Sequence, residues 1–442
     1  MNKMVSPAFP LPLTLGQLDF WEEFQAHPGQ PVSTVAHMIR LEGRLDQDAL
    51  AQAITMMAEE ADVLSLRFLA GDPPMQSVDP DRRPALRQLD LRCEAAPEAE
   101  ARRLMQVDID HALDLCADPL SALWLIHIGE DRWIWYIRGH HIFLDGYSMA
   151  LIEKRVAQLY AHLTQGAPAG RPFGKFGDYL AEEAGYRASP QHRSAREFWK
   201  EQLAGERQPA SLRKGSEGYP VVPHSATIPL PHVSAPLLQA ARRLDMGWPD
   251  LVTMLCALWL WRVPASEQPG DGLVWLPLMG RMGSIAANIP AMALNIAPFR
   301  VAPDPQADLT TVLGAMQREL SAIRKHGRCR IEQIAADLGL NGDERFFFSP
   351  LINVMPFGKA HFPGCDCERE VLAAGPGDGF NLTISAGPRA EGLVLHIDAD
   401  PSLTSLALFD LHVSGLPGFL SESLSSGADR ILSGLFDHVA RD

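Results

Sequence analysis

Cysteine, aromatic side chains and basic charge are all scarce in this sequence of 442 residues: six Cys, 7% aromatics, and 39 Lys plus Arg against 54 Asp plus Glu. The cysteines (Cys93, Cys116, Cys256, Cys329, Cys365, Cys367) are scattered, without a C-x-x-C pair or a His/Cys spacing suited to zinc. That excludes a disulfide-stapled scaffold and predicts reduced thiols and no bound metal. The formal net charge of −15 disfavours nucleic acid as a partner and favours cationic small molecules. Long apolar runs are missing too. The longest, Leu251 to Trp261, falls well short of the ~20 residues a membrane-crossing helix needs, and reads as a buried helix with Pro249 near its first turn. With no basic, apolar, small-residue leader at its start, the chain is expected to be cytoplasmic and off the membrane. Neither short-period repeats nor heptads occur, which excludes solenoids and coiled coils.

What is present is a long, evenly mixed chain. At 46% hydrophobic residues it exceeds one ordinary core, so two α/β lobes are predicted, residues 1–175 and 176–442. In the first half, Val35 to Leu41 reads as a strand, Asp46 to about Glu60 as a helix, and Leu64 to Phe68 as another strand. The apolar runs Leu123 to Ile128 and Trp133 to Arg138, joined by Gly129-Glu130-Asp131, read as a hairpin. The Gly/Pro-rich stretch Gly166 to Gly177 marks the lobe boundary. Beyond a polar segment, Gly205 to Gly218, further strands are expected at Leu273 to Leu278, Pro350 to Met355 and Leu393 to Ile397.

The segment with the most chemistry is His140-His141-Ile142-Phe143-Leu144-Asp145-Gly146. Before it, Trp133, Trp135 and Ile137 alternate with Ile134, Tyr136 and Arg138; after it, Met149, Ile152, Val156, Leu159 and Leu163 follow a helical period. Two imidazoles therefore sit at a strand end and a carboxylate at a helix start. Because successive strand side chains face opposite ways, one histidine is expected to act and the other to support. His141 is the candidate catalytic residue. A neutral imidazole, with an ordinary pKa of about 6.5, can accept a proton at physiological pH, for a gain of roughly 10²–10⁴-fold; alternatively it orients a nucleophile and hydrogen-bonds an intermediate. The blander reading makes His141 a core histidine and Asp145 a helix N-cap. N–H groups following Gly146 are candidates for stabilising an oxyanion. Gly146-Tyr147-Ser148-Met149-Ala150 also nearly matches the elbow of serine hydrolases, with Ala150 breaking the pattern, so Ser148 stands as a rival nucleophile. Asn353, polar within an apolar run, reads either as a substrate-facing amide or as a satisfied core residue. Arg324, Lys325, Arg328 and Arg330 form a basic cluster that would suit an acidic protein or a phosphate, or simply a solvated helix face.

The His140 to Gly146 segment resembles the HHxxxDG signature of the acyltransferase superfamily that includes chloramphenicol acetyltransferase and the condensation domains of nonribosomal peptide synthetases. Further stretches are similar in the same order: Pro12-Leu13-Thr14-Leu15-Gly16-Gln17, Ala61 to Phe68, Phe198-Trp199, Gly280-Arg281 with Asn295, and Ser349 to Val354. Asp19 departs from the arginine common at that position. Ser284 to Pro290, His326-Gly327-Arg328, Arg330 to Ile334 and Ser349 to Phe357 narrow the likeness to the free-standing amide synthases of the vibriobactin type. The resemblance implies two chloramphenicol-acetyltransferase-like lobes forming a V-shaped pseudo-dimer with a tunnel between them, and one active centre, in the first lobe. It implies an enzyme that condenses 2,3-dihydroxybenzoate, carried as a thioester on the phosphopantetheine arm of an aryl carrier protein, with a soluble polyamine. His141 would be catalytic; His140, Asp145, Gly146 and Arg281 would support it, Asp145 and Arg281 as a buried ion pair; Asn353 and Met282 would meet acceptor or intermediate. Met282 stands where the vibriobactin-type enzymes carry an aromatic. No cofactor and a monomeric state are expected; the lack of a carrier-protein serine motif or adenylation signature agrees with a stand-alone enzyme, with a piece excised from a larger synthetase as the alternative. A condensation enzyme with another donor or acceptor and a catalytically silent carrier-docking module are the other readings.

Overall fold

A computed structural model describes residues 10–204, 213–214, 222–266, 272–340, 346–375, 379–425 and 431–436. The chain forms two compact units: Met1–Ser189 with Met279–Leu294 and Lys359–Pro376, and Pro190–Leu278 with Asn295–Gly358 and Gly377–Asp442. A single cut at 175 does not describe them, since the first unit runs on to Ser189 and takes in two later segments. One reason is edge pairing. Cys365–Ala374 forms an antiparallel strand on the outer side of Thr34–Gly43, in the first unit's sheet. The other is apolar burial, since Ala286, Ile289, Ala291, Met292 and Ala293 all sit in the first unit's core.

The first unit is built on five strands in the order Cys365–Ala374, Thr34–Gly43, Arg132–His140, Ala122–Gly129, Leu86–Asp90. All neighbours are antiparallel except Leu86–Asp90 with Ala122–Gly129. Alternation along Arg132–His140 assigns its two faces. Trp133, Trp135 and Ile137 pack with the helices Gln47–Glu60 and Gly146–Gln165, whereas Ile134 and Tyr136 pack with Pro97–Ile109. Both faces are thus covered, so every position of this strand except Arg132 is buried. Met149, Ile152, Val156 and Leu159 are buried at the predicted helical spacing, and the helix ends at Gly166 in the left-handed conformation, φ 68°. The expected strand Leu64 to Phe68 is a 3₁₀ turn, Asp62–Ser65, followed by a strand, Leu66–Leu69.

The second unit has a mixed six-stranded sheet in the order Asn295–Arg300, Leu273–Leu278, Leu351–Met355, Phe380–Ser385, Val394–Ala399, His224–Pro229. Its core is led by the helix Trp248–Arg262, buried at every residue from Leu251 to Leu260. An all-round apolar helix has nowhere to sit except inside a core, so its sequence already announced its place. Of the polar segment Gly205 to Gly218, all but Arg213–Lys214 lies outside the described residues. Among the described residues, no helix is long and apolar enough to cross a membrane, and no group of three or more His, Cys, Asp or Glu is placed to hold a metal ion.

Candidate active site

The strand Arg132–His140 ends on His140, paired in register with Thr34, and His141 is the first residue beyond it. The two imidazoles accordingly part company. His140 is 1% exposed; its Nδ1 accepts the Ile142 N–H at 3.1 Å, so the neutral ring carries its proton on Nε2. Burial, reinforced by the charges of His141 and Arg138, drives its pKa down to about 3, so it remains neutral at working pH. Its surroundings are those of a buried, neutral ring.

His141 is half-buried. Its N–H donates to the Ser33 carbonyl at 2.7 Å. Phe20, on the helix Leu15–Ala26, stacks on its ring with centroids 4.9 Å apart and planes 14° from parallel. Gly375 lies against the ring's Cδ2; a β-carbon at that position would come within 2.4 Å of it. Pairing explains this approach. Ala374 is opposite Val35, so Gly375 comes opposite Thr34, donates to its carbonyl at 2.9 Å, and arrives beside the residue that follows His140.

Asp145 caps the helix Gly146–Gln165 by accepting the Ser148 N–H at 2.8 Å, so the bland reading holds, but only for part of its role. Its carboxylate also receives Arg281 through Nη1 (2.7 Å) and Nη2 (3.1 Å), and the N–H groups of Ala293 (3.0 Å) and Leu294 (3.1 Å). Neither partner of this ion pair is more than 3% exposed. Burial opposes the carboxylate's charge, but the guanidinium and these hydrogen bonds outweigh it and hold the pKa below the usual range. A carboxylate so engaged holds structure and is not available for proton transfer. Arg281 further donates to the carbonyls of Met279, Ala286 and Ala291 and to Ser148 Oγ, and stacks over Tyr147 with its central carbon 4.7 Å from the ring centroid. One guanidinium therefore ties Met279–Leu294 to the helix start.

Ser148 is not a nucleophile in this arrangement. Its buried hydroxyl lies 2.8 Å from both the Asp145 carboxylate and the Ala291 carbonyl and accepts Arg281 Nη2 at 3.0 Å. The oxyanion reading also narrows, because the N–H groups of Ser148 and Met149 are both taken by Asp145. Met282 is 87% exposed. Asn353 is half-buried in the second unit, on Leu351–Met355 opposite Thr383, and its neighbour Ile352 faces the core. Two of the four residues of the basic cluster have carboxylate partners, Arg324 in Asp250 and Arg330 in Glu332, the latter at 2.8 Å.

Phe20, Ser33 and Gly375 were not legible as site residues. Phe20 lies just beyond the stretch that carries the first family likeness, three residues after Gln17, and no spacing rule links Gly375 to a histidine so far away in sequence.

Comparison with known proteins agrees along almost the whole chain. The condensation-domain family matches residues 10–400. A dimodular nonribosomal peptide synthase of Bacillus subtilis is 32% identical over 425 residues, covering 95% of this chain and 18% of that protein. Enterobactin synthase component F of Escherichia coli is 30% identical over 386 residues, 85% of this chain and 29% of that protein. The chain thus spans less than a third of either relative. Among solved structures, VibH, a nonribosomal peptide synthetase condensation enzyme, superposes with a TM-score of 0.85 at 32% identity, over 97% of this chain and 98% of VibH.

Proposed function

The chain belongs to the condensation-domain family, acyltransferases that form C–N bonds from thioesters, and on that premise we propose that it is an amide synthase of catechol siderophore assembly. Its donor is a 2,3-dihydroxybenzoyl group on the phosphopantetheine arm of an aryl carrier protein, and its acceptor is a soluble polyamine. The observation that carries the reading is the half-exposed His141 imidazole, held beside a neutral His140 and a fully engaged Asp145. In the reaction the amine nitrogen attacks the thioester carbonyl carbon and forms the C–N bond. The C–S bond breaks, and the nitrogen's surplus proton passes to His141 and then to the departing sulfur. General-base help of this kind is worth roughly 10²–10⁴-fold. The likeness to VibH and to an enterobactin synthase component supports the siderophore setting, and the net charge of −15 supports a cationic acceptor by raising its local concentration. The enzyme needs no cofactor of its own, carries one centre, in the first of two acyltransferase-like units, and works as a cytoplasmic monomer off the membrane. Asn353 and Met282 are its acceptor-side residues.

The test presents dihydroxybenzoyl carrier protein with a panel of di- and triamines and follows the acyl amide by mass spectrometry. Product mass reports donor and acceptor together. We expect His141→Ala to slow amide formation by roughly 10²-fold or more. Equal rates for wild type and His141→Ala with every amine would overturn the reading.

A further inference from the structure

We infer that the helix Leu15–Ala26 sets the orientation of the His141 imidazole, with Phe20 as the positioning residue for the ring and the Glu23–Ser33 contact as the anchor for its backbone. This rests on His141 being the group that takes the proton. The torsion that turns an imidazole is broad, with no sharply preferred angle, so a half-exposed histidine needs outside contacts to keep one orientation. Two such contacts are present. Phe20 lies flat on one ring face at stacking distance, and Gly375 occupies the space next to Cδ2, where anything larger than hydrogen would push the ring.

The same helix also holds the main chain of His141. Phe20 and Glu23 are three residues apart and therefore share a helix face. The buried Glu23 carboxylate accepts the Ser33 hydroxyl, and the Ser33 carbonyl accepts the His141 N–H. Ser33 has φ 55°, a left-handed conformation unusual for a residue other than glycine, and it is kept there without exposure to water. The helix itself is fixed at its start by a capping box, Thr14 with Gln17, and by reciprocal 2.8 Å amide hydrogen bonds between Gln17 and Gln76. Ring face and backbone of one histidine are thereby referred to a single rigid element. Misplacing a reacting group by about 1 Å can cost on the order of 10²-fold in rate, which makes such a device consequential.

Phe20→Leu keeps an apolar side chain but removes the stacking face, whereas Phe20→Tyr keeps the face and serves as the conservative rescue. Two readouts are taken on the full chain, with folding checked by circular dichroism. The first is the ¹H–¹³C spectrum of the His141 ring, identified by its absence in His141→Ala; the aromatic ring current of Phe20 marks it. The second is steady-state turnover of loaded carrier with amine. We expect Phe20→Leu to shift the His141 ring signals and lower kcat by about 10-fold or more with KM values little changed, and Phe20→Tyr to restore both. Ser33→Ala, which loosens the backbone anchor alone, should lower kcat in the same way. A Phe20→Leu protein that keeps either the wild-type ring signals or the wild-type kcat overturns the inference while leaving the function reading intact. Failure of that reading looks different: His141→Ala then turns over at the wild-type rate, whatever the Phe20 variants do.

Discussion

Replacing Asp145 with Asn tests the frame around the site, because it keeps shape and removes only charge and acceptors. Six hydrogen bonds converge on the carboxylate: Arg281 Nη2, Ser148 N–H and Ser148 Oγ on one oxygen, and Arg281 Nη1 with the N–H groups of Ala293 and Leu294 on the other. Whichever way the new amide turns, its NH₂ faces three donors. Arg281 cannot lose its proton and is almost wholly out of water, so its charge is left without a counterion. Breaking one partner of such a pair typically costs about 3–5 kcal/mol, a large share of the ~5–15 kcal/mol that holds a domain together. Amide hydrogen exchange localises the effect. At 1.4 kcal/mol per decade, protection at Ser148, Ala293 and Leu294 should fall by about two to four decades, whereas amides of the second unit's strand Val394–Ala399 should keep theirs. The double variant Asp145→Asn/Arg281→Met should lose less than the two single variants added together, because it removes the orphaned charge. A drop in protection of less than about threefold at those three amides would refute the argument, since no orphaned buried charge could cost so little.

Other consequences follow from the same geometry. The folded pKa of His140, about 3, lies below the unfolded value near 6.5, so above that value both states hold a neutral ring and the full stability is present. As pH falls from about 6.5 toward 3 the unfolded chain takes up a proton that the folded ring refuses, and stability is lost by several kcal/mol, on the order of 5; urea titrations across this range should show the slope, and His140→Asn should flatten it. Ser148→Ala should destabilise by about 1–3 kcal/mol through the lost partner of Arg281, and a fluorophosphonate probe should not label Ser148 in the wild type; labelling abolished by the substitution would restore the hydrolase reading. Gly166→Ala, at φ 68° with no neighbour in its way, should cost about 1–2 kcal/mol in urea unfolding from backbone strain alone.

Local order was legible wherever one element's own residues decide it. The alternation of Trp133 to Arg138 and the helical spacing of Met149 to Leu163 predicted the strand-to-helix junction, and Asp145 caps the helix it was expected to cap in the blander reading. The HHxxxDG resemblance also pointed to the ion pair with Arg281, which the structure forms. What could not be read was which distant segments complete the first unit. Nothing local marks Cys365–Ala374 as an edge strand of a sheet begun by Thr34–Gly43, because strand pairing is set by backbone hydrogen bonds that any sequence can make. Nor does a serine beside a glycine reveal that its hydroxyl is consumed by a carboxylate and a guanidinium. Periodicity and residue type were enough to place most secondary elements and to call for two α/β units, and the HHxxxDG likeness singled out His141 of the two adjacent histidines. How that imidazole is held came from long-range packing, because Phe20 and Gly375 meet it through the packing of a helix and the register of a sheet, and contacts between residues far apart along a chain leave no periodic trace in it.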